Sequence, residues 1–502
     1  MNSTVVSGER KNYRRVDPDY KHKVYELFGG DSLRFCYQCG TCTANCPLSQ
    51  LIDVYRPNKI IELARLGIRN SPQSNAFLLC SACSQCTKGC PQGVRVHEFM
   101  QALKDLAAEG DENARNYLLG GFVDTLAALA GEMPFPISYS WVCLNPGEDG
   151  EGDGEGGSGF NKMVRDVLYS ALPKVGDLAG GGDEAPGKKG AAKVAVVGSG
   201  PAGLTAAWEL RRAGYEVTVF EPLPEPGGMF TVGIPTYRLP NEIVAAEVES
   251  IKALGVEIRT GTPVDKEMFN GFLEGGEFKA VFIATGAHAA RKLRIEGDDL
   301  EGVILAIDFL RRFNLGEEQG VGKRVVVIGG GNVGIDAART ALRCGAEIVS
   351  LFCLESRDEM PSHEWEIVEA AAEGVVIEPS WGPRAILGDG EKVTGVEFVK
   401  CKAVFDADGR FAPVFDERVA QTVEADTVIV AIGQSPALDF LRQAVDTDRG
   451  AVTVDPLTMQ TSLPGVFAGG DNVLGTASLI EAIVAGKEAA GSIIRYLEDI
   501  NA

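Results

Sequence analysis

Residues Lys193 to Glu221, KVAVVGSGPAGLTAAWELRRAGYEVTVFE, admit few folds. Val194 to Val197 read as a short buried parallel strand. Gly198, Gly200 and Gly203 form a G-x-G-x-x-G turn, and Leu204 to Ala213 read as the helix that follows. Each glycine has a separate task in holding a dinucleotide. Gly198 permits the turn, Gly200 lets backbone approach a pyrophosphate, and Gly203 with Ala207 lets the helix pack on the strand. Pro201 and Ala202 open the helix, whose free N–H groups and dipole favour the pyrophosphate charge. Glu221 ends the second strand and is expected to accept hydrogen bonds from the adenosine ribose. A lone glycine loop is weak evidence, but here strand, helix and acid are in register.

The motif recurs. RVVVIGGGNVGIDAARTALRCGAEIVSLFCLE carries Gly329, Gly331 and Gly334, with Asn332 and Val333 opening the helix and Ala338 in the packing place. Two such units call for two dinucleotides. VFIATGA (Ala284, Thr285, Gly286) and VIVAIGQ (Ala431, Ile432, Gly433) read as buried strands ending in small-residue turns. In two-dinucleotide flavoproteins such segments cross between a flavin domain and an inserted nicotinamide domain. Asp471, after Gly469 and Gly470, is placed to hold ribityl hydroxyls. The helix from about Ala477 and Ser478 can turn its positive end toward a flavin ring.

A different chemistry occupies the N-terminal third. FCYQCGTCTANCP holds Cys36, Cys39, Cys42 and Cys46, and LCSACSQCTKGCP holds Cys80, Cys83, Cys86 and Cys90. Both read C-x2-C-x2-C-x3-C-P. Three thiolates at steps of three wrap one corner of a cubane, and the cysteine before proline reaches the other cluster in two-cluster ferredoxins. The expected ligand sets are therefore Cys36, Cys39, Cys42 with Cys90, and Cys80, Cys83, Cys86 with Cys46. Structural zinc needs only four ligands, usually as two separated pairs, and fits two complete frames poorly. RPNKIIELARLGI and VHEFMQALKDLAAEG carry apolar residues at helical spacing, so the domain is expected to be a helical two-[4Fe–4S] ferredoxin. His97 reads as a packing or surface histidine.

Composition narrows the partners. The chain has 502 residues, with 48 Lys and Arg against 70 Asp and Glu and a formal net charge of −22. Nucleic acid and anionic membranes want a basic face, so neither is an expected partner. No apolar run approaches the roughly 20 residues of a transmembrane segment. The first residues lack the apolar stretch of a signal peptide, so a cytoplasmic location is expected. Twelve cysteines in that compartment suit metal better than disulfides. Cys143, Cys344, Cys353 and Cys401 fall outside the cluster frames and read as ordinary thiols. No C-x-x-C accompanies the flavin domain, and no Ser/His/Asp set or carboxylate pair suggests a hydrolase.

The expected order is an arm (1–30), a helical cluster domain (31–135) and an acidic glycine-rich linker (136–191) around a short docking helix, MVRDVLYSALPKV. A flavin domain (192–315 and 425–502) then encloses a nicotinamide domain (316–424). The fold class is α/β: two Rossmann-like domains preceded by a mainly helical ferredoxin-like domain.

Residues 33 to about 107 resemble the iron–sulfur C subunit of heterodisulfide reductases, on CYQCGTCTANCP, YRPNKII and the second cysteine frame. With EPGGMFTVGIPTYRLP in view (Gly227, Gly228, Met229, Gly233, Ile234, Pro235, Arg238), residues from about 192 to 500 resemble the small, flavin-bearing subunit of glutamate synthase. That resemblance implies FAD at the first glycine loop and NAD(P)H at the second. Hydride would pass to the flavin, and single electrons would then run through two [4Fe–4S] clusters to a partner subunit or ferredoxin. An electron-bifurcating or heterodisulfide-reductase-like complex is a narrower version. The rivals are a glutamate synthase small subunit, whose cysteine spacing differs, and a non-catalytic cluster scaffold, which has no need of both glycine loops. Where that family tends to carry arginines for the 2′-phosphate of NADP, this chain has Leu354 and Glu355. A carboxylate there suits a free 2′-hydroxyl, so NADH is the expected nucleotide.

Overall fold

The computed structural model describes residues 17–68, 75–81, 83–108, 122, 126, 129–145, 158–172, 192–317, 320–441 and 444–500. The chain divides into two compact units, Met1–Gly182 and Asp183–Ala502.

In the first unit the two cysteine frames are built alike. A 3-10 turn leads into each: Gly30–Phe35 before Cys36 and Ala76–Leu79 before Cys80. A left-handed residue follows, Gly40 at φ 82° and Ser84 at φ 63°. One helical turn then carries the chain past the third cysteine, Thr41–Ala44 or Gln85–Lys88. Amphipathic helices come next, Pro57–Arg65 and Val96–Ala108. Pro57 occupies the first turn, where its missing N–H costs nothing, and Ile60, Ile61 and Ala64 fall on one buried face. Among the described residues of this unit no strand forms.

The expected linker starts too early. Pro136–Leu144 is a helix whose Ile137, Tyr139 and Trp141 are buried. Ser158–Ala171 is a second helix, burying Val164 and Leu168 and setting Tyr169 edge-on to Trp141 at 5.3 Å. These large apolar side chains supply the burial that the flanking glycine-acid stretches lack. Most of those stretches (146–157 and 173–191), and most of the arm, lie outside the described residues.

The second unit holds two five-stranded parallel sheets. The first runs Val466–Ala468, Phe278–Ile283, Lys193–Val197, Glu216–Phe220, Glu257–Arg259. The second runs Val303–Leu305, Thr427–Val430, Arg324–Ile328, Ile348–Cys353, Val376–Pro379. In each, the glycine loop leaves the central strand. The boundaries expected at 315 and 425 differ from the pairing, because Val303–Leu305 and Thr427–Val430 both belong to the second sheet. Burial decides it: Val428, Ile429 and Val430 complete the core beside Val326 and Ile328. The chain enters and leaves the second domain through Ala289–Ala290 and Gln434–Ser435, which pair as an antiparallel ribbon. An antiparallel sheet of Trp381–Gly388, Val393–Phe405 and Phe411–Glu424, unforeseen in the sequence, covers one side of this domain.

Candidate functional site: two glycine cradles and two cysteine frames

The two glycine loops share one geometry. Gly198 N–H donates to Phe220 O at 2.8 Å and Gly329 N–H to Phe352 O at 2.8 Å. Both glycines have positive φ, 104° and 130°. A Cβ on either would strike a carbonyl of the crossing strand, Ala284 O at 2.4 Å or Ala431 O at 2.2 Å. Gly203 and Gly334 are closed just as tightly, by the carbonyls of Gly198 and Gly329. The middle glycines are the opposite case. A Cβ on Gly200 would meet nothing within 4 Å, and one on Gly331 only Pro361 Cγ at 4.0 Å. Packing therefore demands the outer glycines, whereas only something that approaches from outside demands the middle ones. Gly200 and Gly331 also cap the helices Pro201–Arg212 and Asn332–Arg343, neither of which has a side-chain cap. Each opening turn thus keeps N–H groups for an anion.

Around the first cradle the chain brings its distant expected residues together. Gly228 (φ 57°) sits so close to Gly200 that a Cβ would lie 2.7 Å from its Cα. Met229 opens the short helix Met229–Val232 beside it. Gly470 packs on the Ala202 methyl, and Gly486 of helix Leu479–Asp499 packs on the Ala202 carbonyl. Asp471 is buried enough that its carboxyl is pushed up to about 6, and its contact from Ala477 N–H is long at 3.4 Å. Thr285 Oγ1 is buried with no protein partner, beside Gly286 at φ 64°. Orphaned polar groups facing an open cradle fit a polar ligand such as FAD. His288, next to Gly286, is held down at about 4 by burial and the Arg311 charge, and so is neutral.

Three expected residues have other partners. Glu221 is buried and accepts from Ser199 N–H at 3.0 Å, Ser199 Oγ at 2.5 Å and Leu223 N–H at 2.9 Å. It braces the glycine loop, which leaves about one of its four acceptor positions for a ribose. Arg238 makes two bonds to Asp336, at 2.7 and 2.8 Å, and one ion pair to Glu366 at 2.8 Å, over the Trp365 ring. Asp336 lies on the second cradle's helix, so this arginine ties the two nucleotide domains together instead of standing open. Ser478 caps helix Leu479–Asp499 in a box with Glu481, whose carboxylate takes Ser478 N–H at 2.9 Å. The carboxylate reduces the positive end expected there.

At the second cradle, Gly330 presses on Cys353, and Gly433 (φ 104°) sits at the return crossing, where Arg291 N–H donates to its carbonyl at 3.1 Å. The register that pairs Phe220 with Phe352 puts Cys353, not Glu355, level with Glu221. Glu355 lies two residues beyond the strand end, its carbonyl held by Ser380 N–H at 2.8 Å. Arg357 is held by Glu364 at 2.9 and 2.7 Å.

In the first unit Cys36, Cys39, Cys42 and Cys90 line one cavity, with Tyr37, Gln38 and Asn58. Cys46 lies in the electrostatic reach of Cys80 and Cys83, and Cys86 in that of Cys80, Cys46 and Cys83. The proline-side cysteine of each frame is thus exchanged with the other. Burial pushes Cys42 and Cys46 up to about 11, so neutral thiols fill these positions unless a bound cation offsets the cost of charge. Among the described residues no three His, Cys, Asp or Glu side chains are placed for a single metal ion. Thiols spread around a cavity fit a polynuclear centre, in which each sulfur meets its own iron.

Spacing did not reveal the supports of these frames. Arg65 donates to the Cys36 carbonyl at 2.9 Å, and Lys104 to the Cys80 carbonyl at 2.7 Å and that of Cys143 at 2.6 Å. The buried Tyr55 hydroxyl faces Cys80, and Tyr139 donates to Leu79 O at 2.9 Å. Cys143, outside both frames by spacing, is a free thiol that lies beside the second frame. His97 bonds Thr87 and Glu98, a packing role. Among the described residues no disulfide joins the twelve cysteines, and no helix is long and apolar enough to cross a membrane.

Comparison with known proteins accords with this geometry. The pyridine nucleotide-disulphide oxidoreductase model matches residues 192–489, and a 4Fe-4S dicluster domain model matches residues 35–95. The chain is 37% identical to the NADP(+)-dependent formate dehydrogenase subunit beta of Moorella thermoacetica, over 82% of this chain and 60% of that protein. It is 33% identical to the NADPH-Fe(3+) oxidoreductase subunit beta of Geobacter sulfurreducens, over 93% and 71%. With the glutamate synthase [NADPH] small chain of Escherichia coli it shares 35% over 61% and 69%. Among solved structures, FprA of Mycobacterium tuberculosis superposes with a TM-score of 0.54 at 21% identity, over 62% and 86%, a likeness of fold. The chain is thus an oxidoreductase that belongs to the pyridine nucleotide-disulphide oxidoreductase family, with a 4Fe-4S dicluster domain joined to its N-terminal side.

Proposed function

We propose that this chain is an electron-transfer subunit that oxidises or forms NAD(P)H, with NADH preferred, and exchanges single electrons with a redox partner. The observation that carries the reading is the pair of open glycine cradles in one unit, joined by a two-stranded crossing. The first cradle would hold FAD through Gly198, Gly200, Gly203, Gly228, Thr285 and Asp471. The second would hold the nicotinamide dinucleotide through Gly329, Gly331 and Gly334. Bound flavin supplies the conversion between a two-electron hydride and single electrons. The chain's own part is to bind, align and exclude water: Glu221 fixes the first loop, and the Arg238 clasp fixes one cradle against the other. Cys36, Cys39, Cys42 and Cys90 would hold one [4Fe–4S] cluster, and Cys80, Cys83, Cys86 and Cys46 the second. Partner subunits and a cytoplasmic setting belong to the same reading, as does membership of a bifurcating or heterodisulfide-reductase-like complex.

NADH preference rests on Glu355, whose carboxylate would repel a 2′-phosphate, and on Arg357, already committed to Glu364. The names of the Moorella and Geobacter relatives favour NADPH, which is the second reading. Anaerobic titration with each nucleotide, followed by absorbance and electron paramagnetic resonance, separates them. Bleaching of the flavin by NADH, then signals of reduced [4Fe–4S] centres, is the expected result. Reduction by NADPH alone would overturn the preference and keep the conduit. No response to either would overturn the conduit.

A further inference from the structure

Both cysteine frames are braced by one arrangement, made once from a neutral residue and once from a titratable pair. A threonine follows the third cysteine of each frame, Thr43 after Cys42 and Thr87 after Cys86. The second residue of the amphipathic helix beyond each frame donates its backbone N–H to that hydroxyl. Asn58 donates to Thr43 at 3.2 Å, and His97 to Thr87 at 3.0 Å. Each hydroxyl then donates in turn. Thr43 meets Asn58 Oδ1 at 2.6 Å, whereas Thr87 meets Glu98 Oε2 at 3.0 Å. Asn58 also lines the cavity of Cys36, Cys39, Cys42 and Cys90, so in the first frame this helix position adjoins the cluster site. In the second frame His97 holds the corresponding position.

The neighbours of His97 decide which ring nitrogen can titrate. Its Nδ1 lies 2.8 Å from Glu98 Oε2 and 3.0 Å from Thr87 Oγ1. A carboxylate oxygen at that distance calls for an N–H, because two acceptors would repel each other. Burial would raise the Glu98 carboxyl, but bonds from His97, its own backbone N–H and Thr87 hold it below the usual carboxylate range, so it is charged. Nδ1 therefore keeps its proton, and Nε2 is the atom free to gain one. Among the described residues Glu98 is the charged group that meets the ring. Lys88 follows Thr87 in the chain and Arg95 is paired with Asp31 at 2.6 Å, and neither is bonded to the ring. The imidazole side chain keeps 22% of its surface exposed, enough for a proton to arrive from water.

We propose that His97 binds one proton at Nε2 when the Cys80/Cys83/Cys86/Cys46 cluster gains one electron, and releases it when the electron leaves. The proposal rests on the conduit reading above. The electron comes from NAD(P)H by way of the flavin, the proton comes from water, and no other bond forms or breaks. Negative charge added nearby raises the proton affinity of an imidazole, and a proton there favours the electron by the same factor. The first frame, with Asn58 in that place, has no such group to protonate. The two centres should therefore answer differently to pH, with acid favouring an electron on the second.

Mediated potentiometric titration of the full cluster- and flavin-loaded chain, followed by electron paramagnetic resonance, tests this without turnover. It is run from about pH 5.5 to 8.5, the range in which histidine ordinarily changes charge. In the parent one midpoint should fall as pH rises, by a total of about 59 mV, a tenfold change for one electron, while the other stays level. His97→Asn should leave both midpoints level, the affected one at its alkaline value. A packing role alone would displace a midpoint without removing its slope. If His97→Asn loses one centre's signal, Glu98→Gln decides. With the carboxylate gone, the sloping region should move to lower pH by about one pH unit. Two level midpoints or equal slopes in the parent would overturn the proposal. So would a slope that survives His97→Asn, or one that stays in place in Glu98→Gln. Absence of any reduced-cluster signal from the loaded parent would instead overturn the conduit reading, and the proposal with it.

Discussion

Single residues set the energies at which this chain would work. Lys104 brings a full positive charge to the carbonyl of Cys80, and Arg65 does the same at Cys36. A nearby cation stabilises the reduced, more negative state of a cluster and so raises its potential. Replacing Lys104 by Met should lower the midpoint of the second cluster by about 60 mV, a tenfold change for one electron. Potentiometric titration of the resonance signals reads this directly, and an unmoved midpoint would show that solvent screens the charge. At the other end of the conduit, Glu355→Arg should turn nucleotide preference toward NADPH by about tenfold in kcat/KM, since a guanidinium meets a 2′-phosphate where a carboxylate repels it. A ratio unmoved by this substitution would remove Glu355 from the site.

At the scale of elements, the cradle loops separate folding from binding. Gly198→Ala forces a side chain at φ 104° against the Ala284 carbonyl and should cost at least about 1–3 kcal/mol of stability. Gly200→Ala meets open space, so its melting temperature without flavin should be unchanged while flavin affinity falls. Equal losses of stability in both variants would contradict this division. The clasp between the nucleotide domains carries a pH signature. Burial pushes Glu366 up to about 7 against the lowering pull of Arg238, with Asp336 and Glu369 adding to the rise and the His363 N–H opposing it. A carboxyl raised in the fold contributes stability below its unfolded value near 4.5, and that contribution is lost as pH rises through about 7. Glu366→Gln stays neutral, so its melting temperature should match the parent near pH 5 and exceed it increasingly toward pH 8; parallel curves would refute the shift. Much of this was legible beforehand. Spacing alone marked both cradles, both cysteine frames and the crossings, because those positions are set by local backbone and ligand geometry. The pairing of Arg238 with Asp336 was not foreseen because it spans 98 residues, which no local pattern records. The domain boundaries slipped for the same reason: Thr427–Val430 reads as a buried strand wherever it pairs. Lys104, Tyr55 and Tyr139 escaped because a residue that supports a distant loop looks, in local sequence, like any other.

Across the whole molecule, the two units differ in what they need in order to fold. Residues Asp183–Ala502 hold extended apolar cores around Val327, Leu351 and Ile429, and around Ala195, Val281 and Val466, with no frame cysteine among them. Met1–Gly182 instead turns buried thiols inward at Cys42, Cys46, Cys80 and Cys86. Without iron Cys42 and Cys46 would stay protonated, since burial holds both thiols near 11. Ligation releases those protons, and the free energy of binding becomes free energy of folding. Anaerobic removal of iron from the loaded chain should therefore abolish one of two calorimetric transitions and its share of helical circular dichroism. The other transition, the flavin absorbance and dye reduction by NADH should survive. The Cys46→Ser chain, lacking one expected ligand of the second cluster, should show a milder form of the same split, with the first transition lowered and the second unmoved. Loss of both transitions together on iron removal would mean that the cysteine unit and the nucleotide unit fold as one. Survival of both would mean that the thiol frames pack without metal, and that burial of Tyr139, Trp141 and Leu79 suffices to hold the first unit.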